Sequence, residues 1–218
     1  MKSRYVDWLA GGLAAGVMLA WIALDPTSAR PAGANVDEPP AARTGGAGQQ
    51  TCNTCHNGAL NDGQATFAFS GVPASYTPGQ TYPITVSLAR SGASRWGFEA
   101  TVLKTSDNSA AGTIVVTSNL TTLQTQAGKF YISHTNLNGP DGTFPGTANG
   151  PVAWSFNWTA PSAGAGAVGF YAAGVAADND GNDGGGDLVY TTSTSSSEAP
   201  PTAVTATTWG KIKAHYLH

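Results

Sequence analysis

A series of short apolar runs, separated by turn residues, limits the folds open to this chain more than any other feature of its sequence. The runs are rich in Val, Ile, Thr and aromatic residues, and Pro, Gly, Asn and Asp lie between them, as is typical of β-strands. They are Ala65–Ser70, Thr81–Ala89, Arg95–Leu103, Gly112–Val116, Phe130–His134, Val152–Trp158, Ala167–Val175 and Leu188–Thr192. Seven or eight short strands at this spacing predict an all-β sandwich.

The alternation of apolar and polar residues is clearest near the middle of the chain, in Trp154-Ser155-Phe156-Asn157-Trp158. Successive side chains of a strand point to opposite faces, so the three aromatic side chains share one face and the polar ones share the other. We therefore expect Trp154, Phe156 and Trp158 to lie in the core of the sandwich rather than in a binding site.

The composition indicates one exported globular domain with appendages. The chain has 218 residues, 28 of them Gly and 13 Pro, with 11% charged residues and a net charge of −3. It contains neither a Lys/Arg cluster nor a basic stripe interleaved with aromatic residues, which argues against nucleic acid as a partner. No catalytic triad, glutamate pair or phosphate-binding glycine loop stands out either, so the sequence identifies no small-molecule substrate.

The N-terminus has the pattern of an export signal or a membrane anchor. Lys2 and Arg4 precede an uncharged run, Trp8–Leu24, which as a helix would span roughly 25 Å against a hydrocarbon core of about 30 Å. Gly12 and Gly16 form a small-residue face that suits packing against another transmembrane helix. We favour a retained anchor over residues 1–24, with the N-terminus cytoplasmic and the rest of the chain outside.

Removal of this segment by signal peptidase is the alternative, since small-residue cleavage sites occur at Thr27–Ala29 and Ala32–Ala34. Residues 25–50 are rich in Pro, Ala and Gly and lack periodicity, which predicts a linker. We expect a haem-attachment segment at 51–64, the sandwich at 65–196 and a tail at 197–218.

The only two cysteines of the chain lie in Cys52-Asn53-Thr54-Cys55-His56, the C-x-x-C-H signature of covalent c-type haem attachment. In this chemistry two thiols add to the two vinyl groups of one haem, and the adjoining histidine becomes an axial ligand of the iron. A dithiol redox pair lacks its usual βαβ context here, and a zinc site lacks a second cysteine pair. The motif therefore predicts one covalent haem c held by Cys52, Cys55 and His56.

The second axial ligand must come from the remaining donors. Met1 and Met18 are the only methionines and both lie in the N-terminal segment. We favour His134, at the end of a predicted strand, over His215 and His218 near the C-terminus, and an open or otherwise ligated iron is a further alternative. Two histidine ligands leave no position for substrate, so this assignment predicts an electron carrier rather than an enzyme.

Several motifs in one order resemble the choice-of-anchor V domain proteins, which are similar to bacterial relatives of the Reeler domain. Besides the cysteine motif they are Ser75–Gln80, Arg95–Glu99, Tyr131–Thr135, Trp154–Pro161, Phe170–Gly174 and Gly186–Thr191. The resemblance covers about residues 50 to 195. It implies an immunoglobulin-like antiparallel β-sandwich that is exported and attached to a surface. No segment after residue 195 is apolar enough to anchor the domain, which would leave that role to Trp8–Leu24.

The loop Asp178–Asp187 holds several carboxylates among glycines, and it is either a solvated hairpin loop, which we favour, or a calcium site. Two functions from different classes follow for the whole chain. The first is a membrane-anchored periplasmic monohaem cytochrome with two histidine ligands, serving a membrane-bound redox complex or other transmembrane helices. The second is an exported adhesion or assembly module in which haem is structural, sensory or absent.

Overall fold

A computed structural model describes residues 35–201 and Lys213, and within them the chain forms ten β-strands and one short 3₁₀ turn. The turn is Cys52–Thr54. The strands are β1 Ala65–Ser70, β2 Ser75–Tyr76, β3 Thr81–Arg90, β4 Arg95–Lys104, β5 Thr113–Val116, β6 Thr121–Gln126, β7 Lys129–His134, β8 Val152–Thr159, β9 Val168–Ala177 and β10 Leu188–Glu198. The predicted all-β class is confirmed.

The strands form two sheets that pack face to face. One sheet has four strands in the order β1-β3-β8-β5, and the other has six in the order β2-β10-β9-β4-β7-β6. Every pairing is antiparallel except that of β2 with β10. Strands β9 and β10 form a long hairpin with Leu188 opposite Ala176, so the acidic loop 178–187 is the loop of that hairpin.

The core between the sheets contains the aromatic residues that the alternation predicts. Trp154, Phe156 and Trp158 are fully buried, and Trp154 stacks on Phe98 with ring centroids 4.5 Å apart. Both indole N–H groups find backbone acceptors, at Gly142 O (2.7 Å) for Trp154 and Ala111 O (2.8 Å) for Trp158. The core therefore buries large apolar surfaces without leaving these donors unpaired.

Each predicted strand is present, and β2 and β6 are additional. The sequence of β6, TTLQTQ, is mostly polar, and this edge strand is only partly buried, with Thr121 buried and its last two residues exposed. It pairs with β7 through the two-residue turn Ala127-Gly128, in which both residues have positive φ, 50° and 72°. That geometry belongs to a type I′ hairpin, and a glycine between two six-residue stretches was the available signal.

The outer face of the six-stranded sheet is covered by residues 35–61, which we call the covering segment. Its contacts with the sheet include Pro39 O with the Gln124 side chain of β6 and Gly46 against the ring of Tyr171 of β9. Residues 35–50, the second half of the predicted linker, thus lie against the domain. The predicted helix Trp8–Leu24, the cleavage sites and most of the predicted tail lie outside the described residues. Within the described residues, no helix combines the length and the hydropathy that membrane crossing requires.

Candidate functional site

The C-x-x-C-H motif forms a compact turn on the outer face of the six-stranded sheet. The Thr51 side chain caps the 3₁₀ turn by accepting a hydrogen bond from Asn53 N. The amides of Cys55 and His56 both donate to Cys52 O, at 3.1 and 3.0 Å. This turn brings the two thiols and the imidazole into one small region, and neither thiol is in a disulfide.

Cys52 is packed against small apolar side chains. It forms a cluster with Ala173, Val175 and Ala177 of β9 and Val189 of β10, which alternate with core residues and so belong to the outer face. Burial, and secondarily the charge of Glu99, raises the pKa of the Cys52 thiol to about 12. Since the thiolate is the reactive form in disulfide exchange, this environment disfavours a dithiol redox role.

His56 is held by the carboxylate of Asp187, which lies 131 residues further along the chain. Its Nδ1 lies 2.6 Å from Asp187 Oδ2, and the two side chains are 16% and 5% exposed. The contact is satisfied when Nδ1 carries the ring proton and donates a hydrogen bond to the carboxylate oxygen. Nε2 has no hydrogen-bond partner among the described residues. Metal-binding histidines show the same arrangement, in which one ring nitrogen donates to a carboxylate and the other binds the metal.

Residues 57–61 fix this pair by docking along β10. Asn57 N donates to Asp183 O (3.0 Å), Val189 N donates to Ala59 O (3.0 Å), and Asn61 N donates to Val189 O (2.8 Å). Gly58 lies so close to the Asp187 carbonyl that an added Cβ would overlap it. The backbone on both sides of the His56–Asp187 contact is therefore tied down.

His134 also faces the outer side of the sheet, next to β4, but both of its ring nitrogens are engaged. Nδ1 accepts from Phe98 N (3.0 Å), and Nε2 donates to Asn35 O in the covering segment (3.2 Å). The ring rests on Gly97, where a Cβ would lie 3.0 Å from Cε1. Burial lowers the pKa of His134, consistent with a neutral imidazole.

The four residues predicted for the site therefore differ in their availability. Cys52, Cys55 and His56 lie together, and no described residue bonds to His56 Nε2. His134 lies on the same side of the same sheet, and its Nε2 is occupied by the Asn35 carbonyl.

A buried polar cluster lies beside these residues under the covering segment. Glu99 of β4 is fully buried and accepts from Arg43 N, and burial raises its pKa to about 8. Within the described part of the chain, its Oε1 and the hydroxyl of Ser133, its neighbour on β7, have no hydrogen-bond partner. Tyr131 accepts from the Gln49 side chain at 2.9 Å. The outer face is thus buried without being apolar.

The sequence analysis missed the role of Asp187. It grouped this residue with the other acids of the 178–187 loop, where the Asp178 and Asp180 side chains accept from amides two residues ahead. The available signal was position: Asp187 directly precedes the apolar start of β10 and is buried. Within the described residues, no cluster of three or more His, Cys, Asp or Glu side chains is arranged to hold a metal ion.

Comparison with family models gives no match, and comparison with curated proteins gives none either. Among solved structures, the chain is similar to the human F-spondin Reeler domain, with a TM-score of 0.44 and 20% identity over 66% of this chain and 96% of that one. It is similar to AvmM, which catalyses macrocyclization in alchivemycin A biosynthesis (TM-score 0.42, 19% identity, 66% and 94% covered). It is also similar to CaCohA2 from Clostridium acetobutylicum (TM-score 0.36, 16% identity, 59% and 90% covered). Each similarity concerns the fold alone.

Proposed function

We propose that this protein is a monohaem c-type cytochrome that carries single electrons on the extracytoplasmic side of a bacterial membrane. The observation that carries the proposal is the state of His56. Its Nδ1 is hydrogen-bonded to Asp187, its Nε2 has no partner among residues 35–201, and it lies in the same turn as two cysteines that form no disulfide. A histidine in this state, beside two cysteines that would attach a haem, would be able to hold the iron through Nε2.

The surroundings of the turn also suit a covalent haem. The buried side chains around Cys52 are small and apolar and bring no competing hydrogen-bond groups, as in many cofactor sites. Cys52 and Cys55 would hold the group and His56 would bind its iron. When bound, haem c supplies a one-electron couple that rearranges no bonds.

For the distal position we propose His134, which would exchange its hydrogen bond with Asn35 O for the iron. Binding a metal through Nε2 would place the ring proton on Nδ1, so Nδ1 would give up the bond from Phe98 N and could donate to Phe98 O, 3.1 Å away. His215 and His218, outside the described residues, are the alternatives. Replacing His134 by Ala should convert a low-spin spectrum to a high-spin one. An unchanged spectrum and potential would transfer the assignment to the tail histidines, which His215→Ala and His218→Ala then test.

The attachment itself is tested in a host that matures c-type cytochromes. The full-length protein, denatured and run on a gel, should stain for haem peroxidase activity, and Cys52→Ala/Cys55→Ala should abolish the band. Thr54→Ala is the matched control, since it alters the same turn and neither thiol. A purified wild-type protein without haem, in a host that loads a known cytochrome, would contradict the proposal.

We further propose that Trp8–Leu24 is retained as an anchor and packs through Gly12 and Gly16 against a transmembrane partner, such as a membrane-bound redox complex. Mass spectrometry of the mature N-terminus checks this. A mature chain that begins at Arg30 or Asn35 would show cleavage, and the protein would then be a soluble periplasmic cytochrome.

A second candidate function is an exported adhesion or assembly module in which haem is structural, sensory or absent. One observation favours it: the cluster around Cys52 is separate from the main core, which is complete without that turn. A reversible redox titration of the native, haem-loaded protein discriminates the two, because only an electron carrier needs an iron that cycles between two oxidation states.

A further inference from the structure

We infer that Asp187 is a positioning residue for His56: its carboxylate holds the imidazole through Nδ1, leaves the lone pair on Nε2, and would lower the reduction potential of a haem bound there. The inference rests on the proposed function, because it concerns the ligand of the same haem. It assigns a role to a residue 131 positions away in the sequence.

The contact is built as a specific pair rather than a surface encounter. Asp187 is 5% exposed and His56 is 16% exposed, with 2.6 Å between Oδ2 and Nδ1. Burying a carboxylate costs several kcal/mol unless it is hydrogen-bonded, so the imidazole N–H is what makes the buried position of Asp187 tolerable. The geometry also selects one tautomer, since a proton on Nδ1 leaves the lone pair on Nε2.

Both partners are held by backbone contacts that do not depend on the pair. Residues 57–61 dock along β10 through Val189 N to Ala59 O and Asn61 N to Val189 O. On the other side, Asp187 N donates to Gly184 O at 3.2 Å. A neutral substitution at Asp187 should therefore remove the charge of the acceptor and leave the turn in place.

The chemical consequence concerns the electron density on the ligand. A carboxylate that accepts from Nδ1 makes the imidazole a more basic donor at Nε2. A more basic ligand stabilises the oxidised iron relative to the reduced iron, and the reduction potential falls. The hydrogen bond that Nδ1 donates to an amide oxygen in the same place would be weaker, since bonds to charged groups are about twice as strong as neutral ones.

The experiment compares Asp187→Asn with Asp183→Asn in the full-length, haem-loaded protein. Asp183 lies in the same loop and contacts Asn57 only through its backbone carbonyl, so its replacement is the matched control. Midpoint potentials are measured at one fixed pH, together with the haem stain. We expect Asp187→Asn to shift the equilibrium about tenfold toward the reduced state, which is about 59 mV for one electron, and Asp183→Asn to leave it unchanged.

The outcomes separate this inference from the proposed function. Haem in the wild type with equal potentials in the wild type and Asp187→Asn overturns the inference alone, whereas no haem in the wild type overturns both. If Asp187→Asn does not fold, nuclear magnetic resonance of the reduced wild-type protein decides. A slowly exchanging His56 Nδ1 proton, which Asp187→Glu retains, supports the inference, and a freely exchanging one overturns it.

Discussion

The outer faces of the two sheets differ in what covers them. In the four-stranded sheet, β8 alternates strictly, with Trp154 buried and Ser155 exposed, and the Ser155 hydroxyl meets Thr85 at 2.8 Å on the open surface. In the six-stranded sheet, β4 and β9 are buried on both faces for most of their length, because the covering segment lies over them. One sheet therefore faces solvent, and the other carries the candidate site.

The covered face is not simply a second hydrophobic core. Glu99 and Ser133 are fully buried there, and each has a side-chain oxygen without a partner among the residues that the structure describes; an unpaired buried group costs about 1–3 kcal/mol. The outer face of the six-stranded sheet therefore buries polar side chains beside the small apolar cluster around Cys52.

The largest effect is expected on the shared inner face. Trp154→Ala removes a fully buried indole that stacks on Phe98 and donates to Gly142 O, and should lower the free energy of unfolding by about 3–5 kcal/mol in urea denaturation. Ser155→Ala, one residue along and facing solvent, should change it by less than about 0.5 kcal/mol. Equal effects of the two substitutions would contradict the burial of one face of β8 and the exposure of the other.

The sequence predicted the inner face because its signal is local. Trp154, Phe156 and Trp158 repeat with the period of a strand. The alternation is visible in the sequence because the residues between them face solvent and are polar. Strand β6 was missed because a polar edge strand has no such contrast. The cysteine motif was readable because its five residues are consecutive, whereas Asp187 reaches His56 only through the docking of 57–61 on β10, which no local pattern encodes.

The next effect separates the covered face from the open one by its response to pH. The pKa of Glu99 is raised by burial from 4.5 to about 8, so between these values the folded state holds a proton that the unfolded state has released. The unfolded state binds fewer protons, and the free energy of unfolding must fall as pH rises, by up to about 1.4 kcal/mol per pH unit. Glu99→Gln should lose this decline, measured as urea denaturation between pH 5 and pH 8.

Glu198 provides the control with the opposite sign. Its carboxylate accepts from Gly164 N and Gly166 N at 2.7 Å, which lowers its pKa, so its contribution is complete above 4.5 and is lost only as pH falls below that value. Glu198→Gln should therefore leave the slope between pH 5 and pH 8 as in the wild type. If Glu99→Gln does not alter the slope of the free energy of unfolding against pH, then Glu99 is solvated and the covering segment does not bury it.

The smallest expected effect on stability tests the contact between the covering segment and the start of β10. In Gly58→Ala the new Cβ would overlap the Asp187 carbonyl oxygen, and since backbone cannot move aside cheaply, we expect a loss of about 1–3 kcal/mol in the free energy of unfolding. Gly184→Ala is the matched control, because a Cβ there meets no atom within 4 Å. It should be neutral or stabilising by a few tenths of a kcal/mol. If both variants unfold at the same urea concentration, residues 57–61 are not packed on β10, and the outer face of the six-stranded sheet is as open there as that of the four-stranded sheet.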